Sequence, residues 1–373
     1  MRSHGAFLMM LTRLLAGGLL AAQLLPAAAS GQLPLDRLRT PRGFAIEVFA
    51  NVPGARSLAV AEGGARIYVG TRGDRVFAVL DPERDRTANE VVEIAGGLKV
   101  PNGVALAPDG ALFVVEQHQI SRVDPSGARE VVVPPGVLPD FRHHGWRYAA
   151  FGPDALLYVT VGAPCNVCEV RGFEGTIVRM RQDGHELEVF ARGVRNSLGL
   201  DWHPRTGEPF FTDNGGDGLG DLVPPDELNR APDRDLHFGY PFVYGPGQPY
   251  PQFAGREPAG PITHPLVNFE AHVAALGVRF YRGRMFPRDY QYDAFVAQHG
   301  SWNRSSPIGY RIVRVRFDPG GRPTGTEVFI DGWLGSGGRA WGRPVDIAEL
   351  PDGSLLVSDD EAGVIYRVTY RRP

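Results

Sequence analysis

Apolar and polar positions along this chain alternate with a period of two in short runs, and the runs return in one arrangement. Over residues 102–116 an alternating run leads through Pro108-Asp109-Gly110 into a second, more apolar run. The arrangement recurs at 148–162, where Asp154 stands 45 residues after Asp109, and again at 345–359 around Pro351-Asp352-Gly353. Weaker copies at 57–70, 198–213 and 278–298 bring the number to six. A further alternating run usually follows, as at 120–123, 176–179, 312–315 and 365–368. Period-two alternation rich in β-branched residues predicts antiparallel strands, with the Pro-Asp-Gly segments as hairpin turns. About four strands per unit, at a period near 40 to 50 residues, is the pattern of a propeller blade. The expected fold is all-β: a six-bladed β-propeller of four-stranded antiparallel blades.

Two stretches stand outside the repeat. Residues 44–50 alternate without a turn-and-strand partner before them, and are expected to complete the last blade and close the ring. The chain between Thr206 and Pro287 is longer than a blade needs, so a proline- and aromatic-rich loop insertion is expected at about 222–277. The remainder of 30–373 reads as a single propeller domain.

Composition changes this picture at the N-terminus. Arg2, His4 and Arg13 precede an apolar run from Leu14 to Leu25, and small residues follow up to Ala29. That order predicts a secretory signal over 1–29, and hence a periplasmic or secreted protein with no stable membrane insertion after cleavage. A retained anchor is the alternative. The net charge of −3, from 39 basic and 42 acidic residues interspersed, leaves no electrostatic footprint for nucleic acid. The two cysteines, Cys165 and Cys168, lack the following histidine of a haem attachment signal and the βαβ setting of a thioredoxin-like site. A structural disulfide is the first expectation in an oxidising compartment; the spacing permits it without establishing it.

Chemistry in a propeller belongs to loops at the mouth of its channel, so polar clusters beside strands are the candidates. His143-His144-Gly145-Trp146-Arg147 could supply a general base, since neutral imidazole accepts a proton near pH 7, or could be a solvated loop. Arg195-Asn196-Ser197 could hold an oxygen-rich planar anion through forked hydrogen bonds, or form a plain strand-end ion pair. The run from Thr212 to Asp221, with four glycines among its acids, offers oxygen ligands for Ca²⁺ or an ordinary turn. His299-Gly300-Ser301-Trp302-Asn303-Arg304 and Gly342-Arg343-Pro344 add cations and an indole, with Trp302 either a ligand platform or a blade-to-blade filler.

Taken together, the runs 143–147, 195–196, 165–168, 299–304 and 309–311 resemble the sugar dehydrogenases that use pyrroloquinoline quinone (PQQ). That family includes soluble glucose dehydrogenase and L-sorbosone dehydrogenase-like proteins. The cysteine insertion and the His-Gly-Ser-Trp-Asn-Arg run look like the sorbosone-type branch. The resemblance implies PQQ and Ca²⁺ as cofactors, a small-molecule sugar as substrate and an unidentified electron acceptor. It assigns the base to His143, four residues before Arg147, with His144 as the fallback. Arg195 would stabilise charge growing on the quinone. Asn196, Arg343, Arg304, Trp302 and Asn102 would contact the cofactor, and Gly215, Gly216 and Asp213 would hold the metal. Two positions depart from the glucose-oxidising pattern: Ala163 stands where an aspartate is expected, and no lysine joins the cationic set. A Ca²⁺-dependent propeller lactonase and a non-catalytic propeller that binds sugar or protein are the rival readings.

Overall fold

The structure, a computed structural model, describes residues 33–373 apart from 82, 84–87 and 89. The signal expected over 1–29 lies outside the described residues.

Six sheets follow one another along the chain, each ordered from the channel outward: five are four-stranded and antiparallel, and the third adds to its four antiparallel strands a short fifth, Leu236–His237, that pairs parallel with Glu188–Arg192. Their innermost strands are Ala55–Val60, Gly103–Leu106, Ala149–Phe151, Leu200–Trp202, Ala275–Phe280 and Pro344–Glu349. Each of these strands packs against the innermost strand of the next sheet, and the sixth packs against the first, so the sheets form the expected six-bladed propeller. Phe44–Asn51 pairs antiparallel with Val364–Tyr370 as the outermost strand of blade 6, with Phe44 opposite Tyr370. The first and last of the described strands therefore share one blade, which leaves no open seam in the ring.

A separate apolar cluster fills each blade-to-blade interface. Between blades 2 and 3, for instance, Phe113, Val115 and Ile120 meet Leu157, Val159 and Val178. Second strands are consequently buried on both faces, as in Leu157–Val161 and Ala294–Gln298. A strand sandwiched between two neighbours has no solvent face, which is why these runs are continuously apolar where alternation marks the others. Each such Leu or Phe contributes about 1.5–3 kcal/mol on burial. The large indole filling an interface is Trp333, fully buried among Phe329, Ile347 and Tyr366. Trp302 is 76% exposed and fills nothing.

The stretch expected as a loop insertion at 222–277 is partly ladder. It contains Pro225–Arg230 and Val267–Ala271, the outer two strands of blade 4, and the start of Ala275–Phe280. The interruption itself is 231–266. The strand Pro225–Arg230 (PDELNR) has no apolar alternation to announce it, because its carboxylates turn inward and are satisfied there.

Antiparallel pairing puts the start of every innermost strand beside the end of the second strand: Gly103 pairs with Val115, Ala275 with Gln298 and Pro344 with Asp359. The segments 143–147, 195–197, 214–224, 299–310 and 342–343 all leave strands at that end, so they gather on one face of the ring. At the other end a cavity of about 550 Å³ is lined by residues of all six innermost strands or their ends, among them Val60, Phe151, Trp202 and Arg282.

Candidate active site

On the loop-bearing face, Asp213 shapes the turn that presents Arg195 and Asn196. Its two carboxylate oxygens accept the backbone N–H groups of Arg195 at 2.8 Å and Asn196 at 2.6 Å. Burial pushes the Asp213 carboxyl up to about 6. Asp213 was expected among the metal ligands; each of its oxygens accepts a backbone amide. The Arg195 guanidinium, itself buried, donates from Nε to the Asn166 carbonyl at 2.9 Å and from Nη1 to the Asn214 carbonyl at 3.1 Å. Nη2 donates to Asn166 Oδ1 at 2.8 Å and Asp217 Oδ2 at 3.0 Å. Four of its five N–H bonds are thereby occupied, which leaves one on Nη1. Asn196 Oδ1 and Asn214 Oδ1 are buried with no partner among the described residues.

The two histidines split into different roles. His144 adopts φ +49° and donates Nδ1–H to the Ala163 carbonyl at 3.0 Å. Burial, then the charge of Arg195, drive its imidazole down to about 2, so His144 is neutral at any ordinary pH. The ring of His143 lies against that of His144, centroids 4.0 Å apart, and is solvent-exposed. Its imidazole is also lowered, first by burial and then by Arg195, while Asp217 works the other way. Arg147, fully buried, donates to the carbonyls of Pro139 at 2.8 Å and His144 at 2.9 Å. It builds the loop.

A second cationic centre, built on residues that sequence reasoning passed over, lies at the same mouth. Arg56 is fully buried, stacks on Trp146 at 4.4 Å and donates from Nη1 to Asp360 Oδ2 at 2.6 Å. His299 donates Nε2–H to the other Asp360 oxygen at 2.8 Å. Burial works against the Asp360 carboxylate, but His299 and Arg56 outweigh it and hold the group well below the usual carboxylate range. Burial brings His299 down to about 4, so it is neutral near pH 7 and Arg56 is the charged partner. Arg56 Nη2 has no partner among the described residues. The only sequence signal for Arg56 was an arginine inside an otherwise apolar strand entry.

Asn102 was expected to contact a cofactor, and the structure places it beneath that centre instead. Its Oδ1 accepts from Arg56 Nε at 2.5 Å, and its Nδ2 donates to the Arg147 carbonyl at 2.6 Å. With 1% exposure it is a knot between blades 1, 2 and 3. Arg343 donates to the carbonyls of His299 at 3.0 Å and Gly300 at 2.5 Å and lies 5.4 Å over Tyr310. Arg304 donates to the carbonyls of Ala271 at 3.1 Å and Ser306 at 3.2 Å. Both arginines thus hold the 299–310 loop and add charge to the mouth, while Trp302 stands free on its rim.

The glycine run faces its amides inward: Gly215 N–H donates to Asp226 Oδ1 at 2.8 Å and Gly216 N–H to the Tyr250 hydroxyl at 3.0 Å. No N–H among the described residues reaches either glycine carbonyl. Behind the run lie Asp226 and Glu227, both buried, and burial raises them to about 7 and about 8, the second with help from the nearby Asp213.

Comparison with known proteins shows what the chain is similar to. Residues 223–371 match the model of the TrAA12-like family. An uncharacterised protein of Borreliella burgdorferi is 33% identical over 350 residues, covering 90% of this chain and 91% of its own. The PQQ domain of pyranose dehydrogenase from Coprinopsis cinerea, in its holo form, superposes with a TM-score of 0.74 at 19% identity, covering 89% of this chain and 97% of that one. The calcium structure of the family AA12 carbohydrate-active enzyme of Trichoderma reesei superposes at 0.76 and 18% identity, covering 92% and 99%. Over residues 223–371 the chain is thus similar to the TrAA12-like family, and over about nine-tenths of its length it shares the propeller fold of the pyranose dehydrogenase PQQ domain and the AA12 enzyme.

Proposed function

We propose that this chain is an exported PQQ- and Ca²⁺-dependent dehydrogenase that oxidises an aldose or a sorbosone-like hydroxy-aldehyde. The observation that carries the reading is the set of orphaned buried polar atoms at one mouth: Arg56 Nη2, Asn196 Oδ1, Asn214 Oδ1, Gln298 Nε2 and Asn303 Oδ1. Each unsatisfied buried group costs about 1–3 kcal/mol, so a polar ligand that pairs with them is strongly favoured. Cations Arg56, Arg195, Arg304 and Arg343 suit a polycarboxylate quinone. The open carbonyls of Gly215 and Gly216, backed by Asp226 and Glu227, suit a hard cation.

Held there, the quinone supplies a two-electron acceptor, and the metal makes it more electrophilic. His143 takes the proton of the sugar hydroxyl at an imidazole nitrogen. Its basicity supports the choice within the pair: a group near 2 holds a proton too weakly to serve as base at neutral pH, whereas His143, also lowered, has Asp217 to stabilise its charged form. His144, locked through Ala163, is the wall against which His143 is held. The backbone carbonyl of Ala163 thus makes the imidazole contact expected of an aspartate, on the neighbouring ring. The remaining Nη1 N–H of Arg195, on a buried guanidinium, stabilises developing negative charge as a preorganised donor.

Export rests on the charged, apolar and small-residue order of 1–29. No helix among the described residues is long and apolar enough to cross a membrane. A lactonase with a metal held by side chains would need converging ligands, and no group of three His, Cys, Asp or Glu among the described residues is so arranged. The deciding experiment is titration of the mature protein with PQQ, with and without Ca²⁺, followed by dye reduction across a panel of aldoses. Calcium-dependent binding with turnover is expected. Lactone cleavage without quinone, or sugar binding without any turnover, would replace this reading by one of its rivals.

A further inference from the structure

Cys165 and Cys168 are joined, with Cα atoms 6.1 Å apart, and close a four-residue ring in the connection between the second and third strands of blade 3. That connection, 162–175, pairs with no strand, so no ladder fixes it. Asn166, inside the ring, nevertheless makes four hydrogen bonds to the site. Its carbonyl accepts Arg195 Nε–H at 2.9 Å and its Oδ1 accepts from Arg195 Nη2 at 2.8 Å. The same Oδ1 accepts the Asp217 backbone N–H at 2.8 Å, and Nδ2 donates to the Asp217 carbonyl at 2.9 Å. Asn166 therefore grips both members of the Arg195–Asp217 ion pair, whose N···O distance is 3.0 Å. The far side of the ring is docked on Tyr240: Cys168 N–H donates to its hydroxyl at 3.1 Å, and Cys165 Sγ lies 3.6 Å from the same oxygen. Tyr240 is buried with Ala163, Tyr250 and Phe253.

We propose that Asn166, held in register by the Cys165–Cys168 ring, is the positioning residue that sets the plane of the Arg195 guanidinium. The physical reason is the fork. A single acceptor lets a guanidinium swivel about one hydrogen bond, whereas a backbone carbonyl and a side-chain oxygen on one residue engage Nε and Nη2 along one edge and fix the plane. Fixing it matters because a single Nη1 hydrogen is left over, and a lone donor stabilises charge only where it is aimed. Ring closure limits the conformations open to a segment without strand pairing, so the fork is in place before any ligand arrives. The consequence for rate rests on the dehydrogenase reading above; the geometric claim does not.

The test uses the full-length mature chain. Asn166→Ala keeps the backbone carbonyl but deletes the second prong and both ties to Asp217; Asn166→Asp restores the acceptor. In protein reconstituted with PQQ and Ca²⁺, Asn166→Ala is expected to lower kcat about 10–100-fold with the sugar KM within about 3-fold, and Asn166→Asp to recover most of the loss. Independently of any cofactor, the ring-proton NMR titration of His143, assigned with His143→Gln, is expected to move its midpoint upward in Asn166→Ala as the Arg195 charge swings away. An unmoved midpoint, or a loss confined to KM with kcat retained, overturns the proposal. If wild-type protein shows no quinone-dependent turnover, the functional reading fails and the NMR titration alone decides the positioning claim. Should Asn166→Ala not fold, Cys165→Ser with Cys168→Ser keeps Asn166 and removes the ring; the same directions of change are expected, and no change in either readout overturns it.

Discussion

His144 and Ala163 are joined by a hydrogen bond from imidazole Nδ1–H to a backbone carbonyl at 3.0 Å, which no substitution of the Ala163 side chain can remove. That acceptor orients the ring and raises its basicity, but burial and the charge of Arg195 outweigh it, and His144 stays near 2. A carboxylate there would raise it further.

This division predicts different outcomes for the two histidines. His143→Gln is expected to lower turnover by about 10²–10⁴-fold with PQQ affinity little changed, while His144→Gln lowers it less and loosens the loop. The pH profile carries the sign. The base works unprotonated, and His143 is lowered from 6.5, so kcat/KM should hold as pH falls to 6.5 and decline only below it. An acid limb above pH 6.5 would reassign the base.

The buried Arg56–Asp360 pair predicts strong asymmetry between single and double substitutions. Arg56→Ala leaves the buried Asp360 carboxylate with His299 and the more distant Arg72, 3.7 Å away, and is expected to cost about 3 kcal/mol, while Arg56→Ala with Asp360→Asn costs clearly less. Because the Asp360 carboxyl is lowered in the fold, its contribution is present above its unfolded value and is lost as pH falls through the lower, folded value. Urea titrations of wild type, Arg56→Ala, Asp360→Asn and the double variant at pH 7 and pH 3 test both statements; additive losses at pH 7 would show that the pair is not coupled.

Asp213, Asp226 and Glu227 carry the opposite sign. Their folded values are raised to about 6, 7 and 8, so the stabilisation they give as neutral acids is present below their unfolded values and is lost as pH rises through the folded ones. Cofactor-free protein should therefore lose stability between about pH 4 and pH 8, and Glu227→Gln should recover part of it at pH 8. A cation at the glycine run favours the ionised acids, so added Ca²⁺ should raise Tm more at pH 8 than at pH 5. Calorimetry with and without a chelator measures this, and an equal rise at both values would detach the carboxylates from the metal.

Trp302, at 76% exposure, touches no interior cluster. Trp302→Ala should leave stability within about 0.5 kcal/mol while raising the sugar KM about 3–10-fold, the loss of an aromatic platform worth about 0.5–1.5 kcal/mol. Steady-state kinetics beside a melting curve separates the two effects; an unchanged KM would leave the indole without a part in substrate binding.

The repeat and the closing strand at 44–50 were legible because each strand announces itself locally: a period of two where one face meets solvent, a continuous apolar run where neither does, and Pro-Asp-Gly between them. Pro225–Arg230 escaped notice since only Leu228 among its four buried residues is apolar. The clustering of 143–147, 195–197, 214–224 and 299–304 was legible as chemistry but not as geometry. Arg56 and Asp360 are 304 residues apart in sequence, and nothing local says that one buried arginine will meet one buried aspartate. Asn102, by contrast, had the residue type of a ligand contact and proved to be a blade-to-blade knot, because its amide is saturated by neighbours from two other blades.

By itself, then, the sequence determined what nearest-neighbour physics can determine: strands, turns, blade count and the residue types that gather at strand ends. The tertiary structure decided which groups are occupied and which are left over. Asp213 holds amides, Arg147 holds a loop, and Arg195 keeps one hydrogen. That follows from the closed ring, which brings six strand ends to one mouth and lets residues hundreds of positions apart compete for the same few hydrogen bonds.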